Sequence, residues 1–117
     1  MDHRLKSKIL IDKTFTTGKS VFIFPLKLVY IRLHYDQGAN AYQFGVSVSK
    51  RNLKCAVDRN LIKRRIREAL RIQISESDTL NSDSNLIMMI VYVGKELLEF
   101  SVIQASVKRI LKKIKTN

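Results

Sequence analysis

Between Tyr42 and Ser49 apolar and polar residues alternate without a break: Tyr42, Phe44, Val46 and Val48 fall on one side, Gln43, Gly45, Ser47 and Ser49 on the other. Successive side chains of a strand point to opposite faces, so this segment predicts a β-strand with one core face and one small, polar face. The run "LIMMIVYV" at 86–93 does not alternate. A short strand that is apolar throughout predicts burial on both faces. "SVFIFPLKLVYIRLHY" at 20–35 is rich in β-branched and aromatic residues, with Pro25 at its middle. It reads as two strand pieces or as one strand bent at a sheet edge, and "DQGANA" after it supplies a turn.

Three other segments follow the helical period of ~100° per residue. Ser7, "KILIDKTFTT" and Gly18 predict a short helix with an N-cap at one end and a terminal glycine at the other, its apolar contacts coming from Ile9, Ile11 and Phe15. From about Asn52 to Gln73, Ile62, Ile66, Ala69 and Leu70 gather on one side, and Arg59, Asn60, Lys63, Arg64, Arg67 and Arg71 on another. Glu96 to Ile114, with Phe100, Ile103, Val107, Leu111 and Ile114 in register, predicts a closing amphipathic helix. The order is αββαβα, with a further short strand left open at Pro25. This is an α+β fold, and 117 residues suffice for one domain with one core, spanning 1–117.

Charge narrows the function. The chain carries 22 Lys and Arg against 10 Asp and Glu, a formal charge of +12. Such a surplus repels itself in the folded state unless a polyanion neutralises it, which points to nucleic acid or an anionic surface. Hydrophobic residues make up 45% of the chain, too many for a disordered basic tail. Cys55 is the only cysteine, so no intrachain disulfide can form, and a reducing cytoplasm is the expected location. The basic start "MDHRLKSKILIDKTF" reaches no sustained apolar run, and "LIMMIVYV" is too short to span a bilayer. "SESDTLNSDSN" at 75–85 reads as an acidic, Ser-rich loop within the domain.

A run of Lys and Arg on a helix is most often a solvated face. Here only Asp58 and Glu68 lie in the segment to pair with its cations, so an outside anion accounts better for the stripe. Arg outnumbers Lys within it, and the planar guanidinium suits bidentate contact with phosphate oxygens. Membrane-surface helices expose bulky apolar residues, whereas this helix has aliphatic residues that a sheet would cover. No helix-turn-helix or zinc-finger pattern is present, and strands precede and follow the helix, which favours RNA over DNA. His3 and His34 have no Ser, Cys or carboxylate constellation and read as surface histidines. Cys55 reads as a small residue packed at a helix start. No catalytic constellation is visible, so in any catalysis another component would carry the chemistry.

The pattern Leu53-x-x-Ala56-x-x-Arg59-Asn60-x-Ile62-Lys63-Arg64-x-Ile66-Arg67 resembles the full signature of the protein subunit of bacterial ribonuclease P. "FTTGKS" with Phe15 and Gly18, "PLKLVY" and "FGVSVSKR" extend the resemblance over most of the chain. It departs at Leu61, where the family carries a further Arg, so a contact made by that Arg is not carried over. The resemblance implies a two-layer α/β sandwich whose mixed sheet contains a left-handed βαβ crossover, against the general handedness rule. It implies a catalytic RNA as partner and precursor tRNA as substrate, the complex removing the 5′ leader by hydrolysis that depends on Mg2+ held by the RNA. Arg59, Asn60, Lys63, Arg64, Arg67 and Arg71 would meet the catalytic RNA. Phe15, Tyr30, Ser49, Lys50 and Arg51 would line the path of the single-stranded leader. No obligatory protein partner is evident. The alternative is an RNA-binding protein of ribosome structure or assembly.

Overall fold

The structure is a computed structural model and describes residues 8–33, 42–76 and 85–116. Its elements are α1 (Lys8–Thr17), β1 (Lys19–Ile23), β2 (Leu26–Leu33), β3 (Tyr42–Val48), α2 (Ala56–Glu76), β4 (Asn85–Tyr92) and α3 (Phe100–Thr116). The segment around Pro25 is two strands. Phe24 and Pro25 form the turn between β1 and β2, through a cis peptide bond. Proline has no N–H to donate to a ladder, so it falls at the turn. Its carbonyl accepts from the Val93 N–H at 2.9 Å.

The four strands stand in the order β1-β2-β4-β3. β2 is antiparallel to both β1 and β4, while β3 and β4 are parallel and joined through α2. β4 therefore has a neighbour on each side and helices above and below. Leu86, Met88, Ile90 and Tyr92 face the main core, and Ile87 and Met89 face a second cluster with Ile11 of α1 and Ile31. This is why its sequence is apolar on both faces.

α2 and α3 cover the first face. Ile62, Ile66, Ala69 and Leu70 of α2 meet Ile103, Val107, Ile110, Leu111 and Ile114 of α3 over the even-numbered residues of β2 and β4. Each fully buried Ile or Leu there contributes roughly 1.5–3 kcal/mol. Phe44, Val46 and Val48 of β3 join the same core, as the alternation predicts. α2 starts at Ala56, later than expected, because the Asn52 and Leu53 N–H groups both donate to the Ser49 carbonyl in a turn. α3 likewise starts at Phe100, because the Tyr92 hydroxyl donates to the Glu96 carbonyl (2.6 Å) and accepts from the Leu98 N–H (3.4 Å).

α1 lies across the other face. Ile11 packs there as expected, but the residue turned fully inward is Thr14, at 0% exposure, while Phe15 is 49% exposed. Gly18 ends α1 with its N–H donating to the Thr14 carbonyl at 2.9 Å. A Cβ on Gly18 would collide with that carbonyl and lie 2.8 Å from the Tyr30 carbonyl oxygen. Close approach to β2 explains this glycine, since its φ is outside the left-handed region usual for a helix-ending glycine. Ser7, His3, His34, the "DQGANA" turn and most of the acidic loop lie outside the described residues.

Candidate nucleic-acid interface

Anchored by its aliphatic side, α2 turns Asn60, Arg64, Arg67 and Arg71 to solvent, with Arg59 and Lys63 partly buried beside them. The helix thus has one face that packs in the core and one that meets solvent. Arg59 is held in place: its Nη1 donates to the Leu53 and Lys54 carbonyls, each at 2.9 Å. One nitrogen of the guanidinium caps the turn entering α2, and the rest of the fork is presented at a fixed position. Arg71 pairs with Glu68 at 2.5 Å on the exposed surface. Their hydrogen bond is the main reason the carboxyl titrates lower and the guanidinium higher than usual. An exposed pair of this kind contributes little to stability. It does make Arg71 less available to phosphate than Arg64 or Arg67.

Arg65 has a different part. Its Nη1 donates to the Leu98 carbonyl at 2.7 Å, tying α2 to the segment before α3. Leu61, at the place of the family's further Arg, is partly buried. Cys55 is exposed, contrary to expectation, as are Ala56 and Val57. The packed residue at the start of the helix is Leu53, which plugs the core two positions earlier.

The second surface is the face of the sheet that α1 crosses. Phe15 is exposed on α1, and Ser49, Lys50 and Arg51 are exposed at the end of β3, where the Arg51 N–H donates to Ser49 Oγ at 3.1 Å. Tyr30 does not belong to this surface. It is 3% exposed and packs in the main core, because it shares its side of β2 with Leu26 and Leu28. The residue that faces α1 at this point of the strand is its neighbour Ile31. Sequence reasoning also passed over Phe22. It is 59% exposed and lies across from Lys27 in the β1–β2 ladder, both on the α1 side of the sheet. The sequence held no alternation to mark it, since Val21, Phe22 and Ile23 are all apolar, and only the structure puts Val21 and Ile23 in the core and Phe22 outside.

The sheet therefore separates a cationic helix face from an aromatic and polar sheet face, chemistry suited to phosphate contact on one side and to base stacking on the other. Comparisons with known proteins show which family the chain resembles. The sequence model of the Ribonuclease P family matches residues 1–115. A ribonuclease P protein component from Porphyromonas gingivalis is 30% identical over 116 residues, covering 97% of this chain and 84% of the relative. One from Chlorobium phaeobacteroides is also 30% identical, over 95% of this chain and 84% of the relative. The solved RNase P protein of Staphylococcus aureus superposes with a TM-score of 0.72 at 25% identity, covering 97% of this chain and 96% of that one. The Thermotoga maritima RNase P protein has the same fold, with a TM-score of 0.70 at 19% identity and coverage of 94% and 96%. With the whole signature helix and nearly the full length of the chain matched, this protein belongs to the Ribonuclease P family.

Proposed function

We propose that this chain is the protein component of a ribonuclease P ribonucleoprotein, which binds a catalytic RNA through α2 and the 5′ leader of precursor tRNA on the face crossed by α1. The observation that carries the reading is the exposed cation row of α2 in a member of this family, with Arg59 preset by two backbone carbonyls. Family membership favours it over a ribosome structure or assembly protein. Arg59, Asn60, Lys63, Arg64 and Arg67 contact RNA backbone, with Arg71 in a lesser part. Phe15, Ser49, Lys50 and Arg51 grip the leader by stacking and phosphate contact, which suits a strand of variable sequence.

Mg2+ bound by the RNA or substrate supplies charge neutralisation at the phosphate and activation of the attacking water. Among the described residues no three His, Cys, Asp or Glu side chains group as metal ligands. The chain's own part is to bind and orient the two RNAs. No described helix is long and apolar enough to cross a membrane. A cytoplasmic location fits the reading. The test is reconstitution with the cognate RNA and a precursor tRNA: the protein should cleave nothing by itself and should restore leader removal when the RNA is added. Cleavage at a comparable rate by rigorously RNA-free protein would refute it.

A further inference from the structure

α3 carries a cationic face of its own. Phe100–Thr116 contains no Asp or Glu. Its apolar side is buried in the main core, which leaves Lys108, Arg109 and Lys112 exposed on the outside. None of these three forms an ion pair with a described carboxylate. The acid in the middle of α2, Glu68, is held by Arg71. Lys108 and Lys112 stand four apart, where like charges repel along a helix, and the helix dipole offsets only part of that cost.

α2 and α3 are neighbours, since residues of both pack in the main core. β3 and β4 run parallel and end side by side, with Val48 beside Tyr92. α2 and α3 therefore both follow strands that end at the same end of the sheet. Leu70 of α2 and Val107, Ile110 and Leu111 of α3 line one small internal cavity. The exposed sides of these two packed helices, with Arg67 and Arg71 on one and Lys108 and Lys112 on the other, belong to one layer of the fold.

We propose that Lys108, Arg109 and Lys112 form a second phosphate-binding row, and that the rows of α2 and α3 together hold a double-helical segment of a structured RNA. This rests on reading α2 as an RNA-binding surface. A single strand offers one line of phosphates, whereas a helix offers two and is recognised through its backbone and shape. A lipid surface fits less well, because the apolar side of α3 is already in the core.

The test replaces Lys108, Arg109 and Lys112 together by Ala, the residue best suited to a helix, and measures binding to the catalytic RNA across a salt series. The salt slope should fall by roughly two to three units if all three contact phosphates, with affinity for a single-stranded leader oligonucleotide unchanged. A photo-crosslinker on Ala105→Cys, in a Cys55→Ser background, should then mark a paired segment of the RNA. Arg64→Ala/Arg67→Ala is the control on α2. If it weakens binding and the α3 variant does not, the second row is refuted while the proposed function stands. Failure of both variants to weaken binding refutes the reading of α2 itself. Crosslinks confined to the single-stranded leader also overturn the proposal.

Discussion

Phe15 and Thr14 are adjacent on α1 and have opposite roles. Thr14 is buried against the sheet and Phe15 is half exposed. Phe15→Ala should therefore cost about 1 kcal/mol of stability or less, well under the 3–5 kcal/mol of a buried Phe. Its loss from a stacking surface should weaken precursor tRNA binding by roughly 1–3 kcal/mol and leave mature tRNA binding nearly unchanged. Melting midpoints measured beside both affinities check this, and equal losses for the two tRNAs would count against a leader contact. Tyr92 is instead a structural residue with a pH signature. Burial pushes its phenol above the ordinary value of 10.0. The fold favours the neutral form, so this contribution to stability is fully present below about pH 10 and is lost as pH rises through the raised value. Tyr92→Phe should cost about 0.5–1.5 kcal/mol at neutral pH through the lost hydrogen bonds to Glu96 and Leu98. Urea midpoints at about pH 8 and pH 10.5 should show a smaller alkaline loss in the variant than in the parent.

At the scale of elements, α2 separates stability from binding around its circumference. Ile66 has 0% exposure in the core, so Ile66→Ala should destabilise by about 2–5 kcal/mol. Arg67→Ala on the exposed side should stay within about 0.5 kcal/mol in stability, yet lower RNA affinity and reduce the salt slope by a little under one unit. Arg59 combines both roles. Arg59→Ala should lower the urea midpoint, because it frees the Leu53 and Lys54 carbonyls, and should weaken RNA binding as well. Arg59→Lys should restore the charge without the fork. Chemical denaturation and RNA titration on the same four variants separate these outcomes.

The whole molecule carries +12, and the outer sides of both α2 and α3 contribute to it. Self-repulsion of that size loosens the free protein, and any polyvalent anion that binds the folded state preferentially stabilises it. Sulfate should raise the unfolding midpoint beyond chloride at equal ionic strength, and RNA should raise it further. A midpoint that responds to the two salts alike would show that no anion site exists on the folded surface.

Periodicity was enough to show that α2 and α3 are helices, though not where they start, and to give the polar face of β3, the two-sided burial of β4 and the cationic side of α2. Each of these is a repeat of side-chain direction along one element, and a local sequence carries that repeat in full. The signature in α2 carried the family for the same reason, since its anchors and cations share one helical register. What the sequence could not determine was which faces meet. Tyr30 and Ile31 are both plausible cleft residues until strand register and the crossing of α1 decide that Tyr30 belongs to the main core. Gly18 looked like a helix-ending glycine, and only the nearness of β2 gives it another cause. The second role of Arg59, the tie from Arg65 to Leu98, and the cavity that Leu70 of α2 shares with Val107, Ile110 and Leu111 of α3 join residues far apart in the chain or across a turn. Such contacts depend on the packing of several elements at once, and no single stretch of sequence contains them.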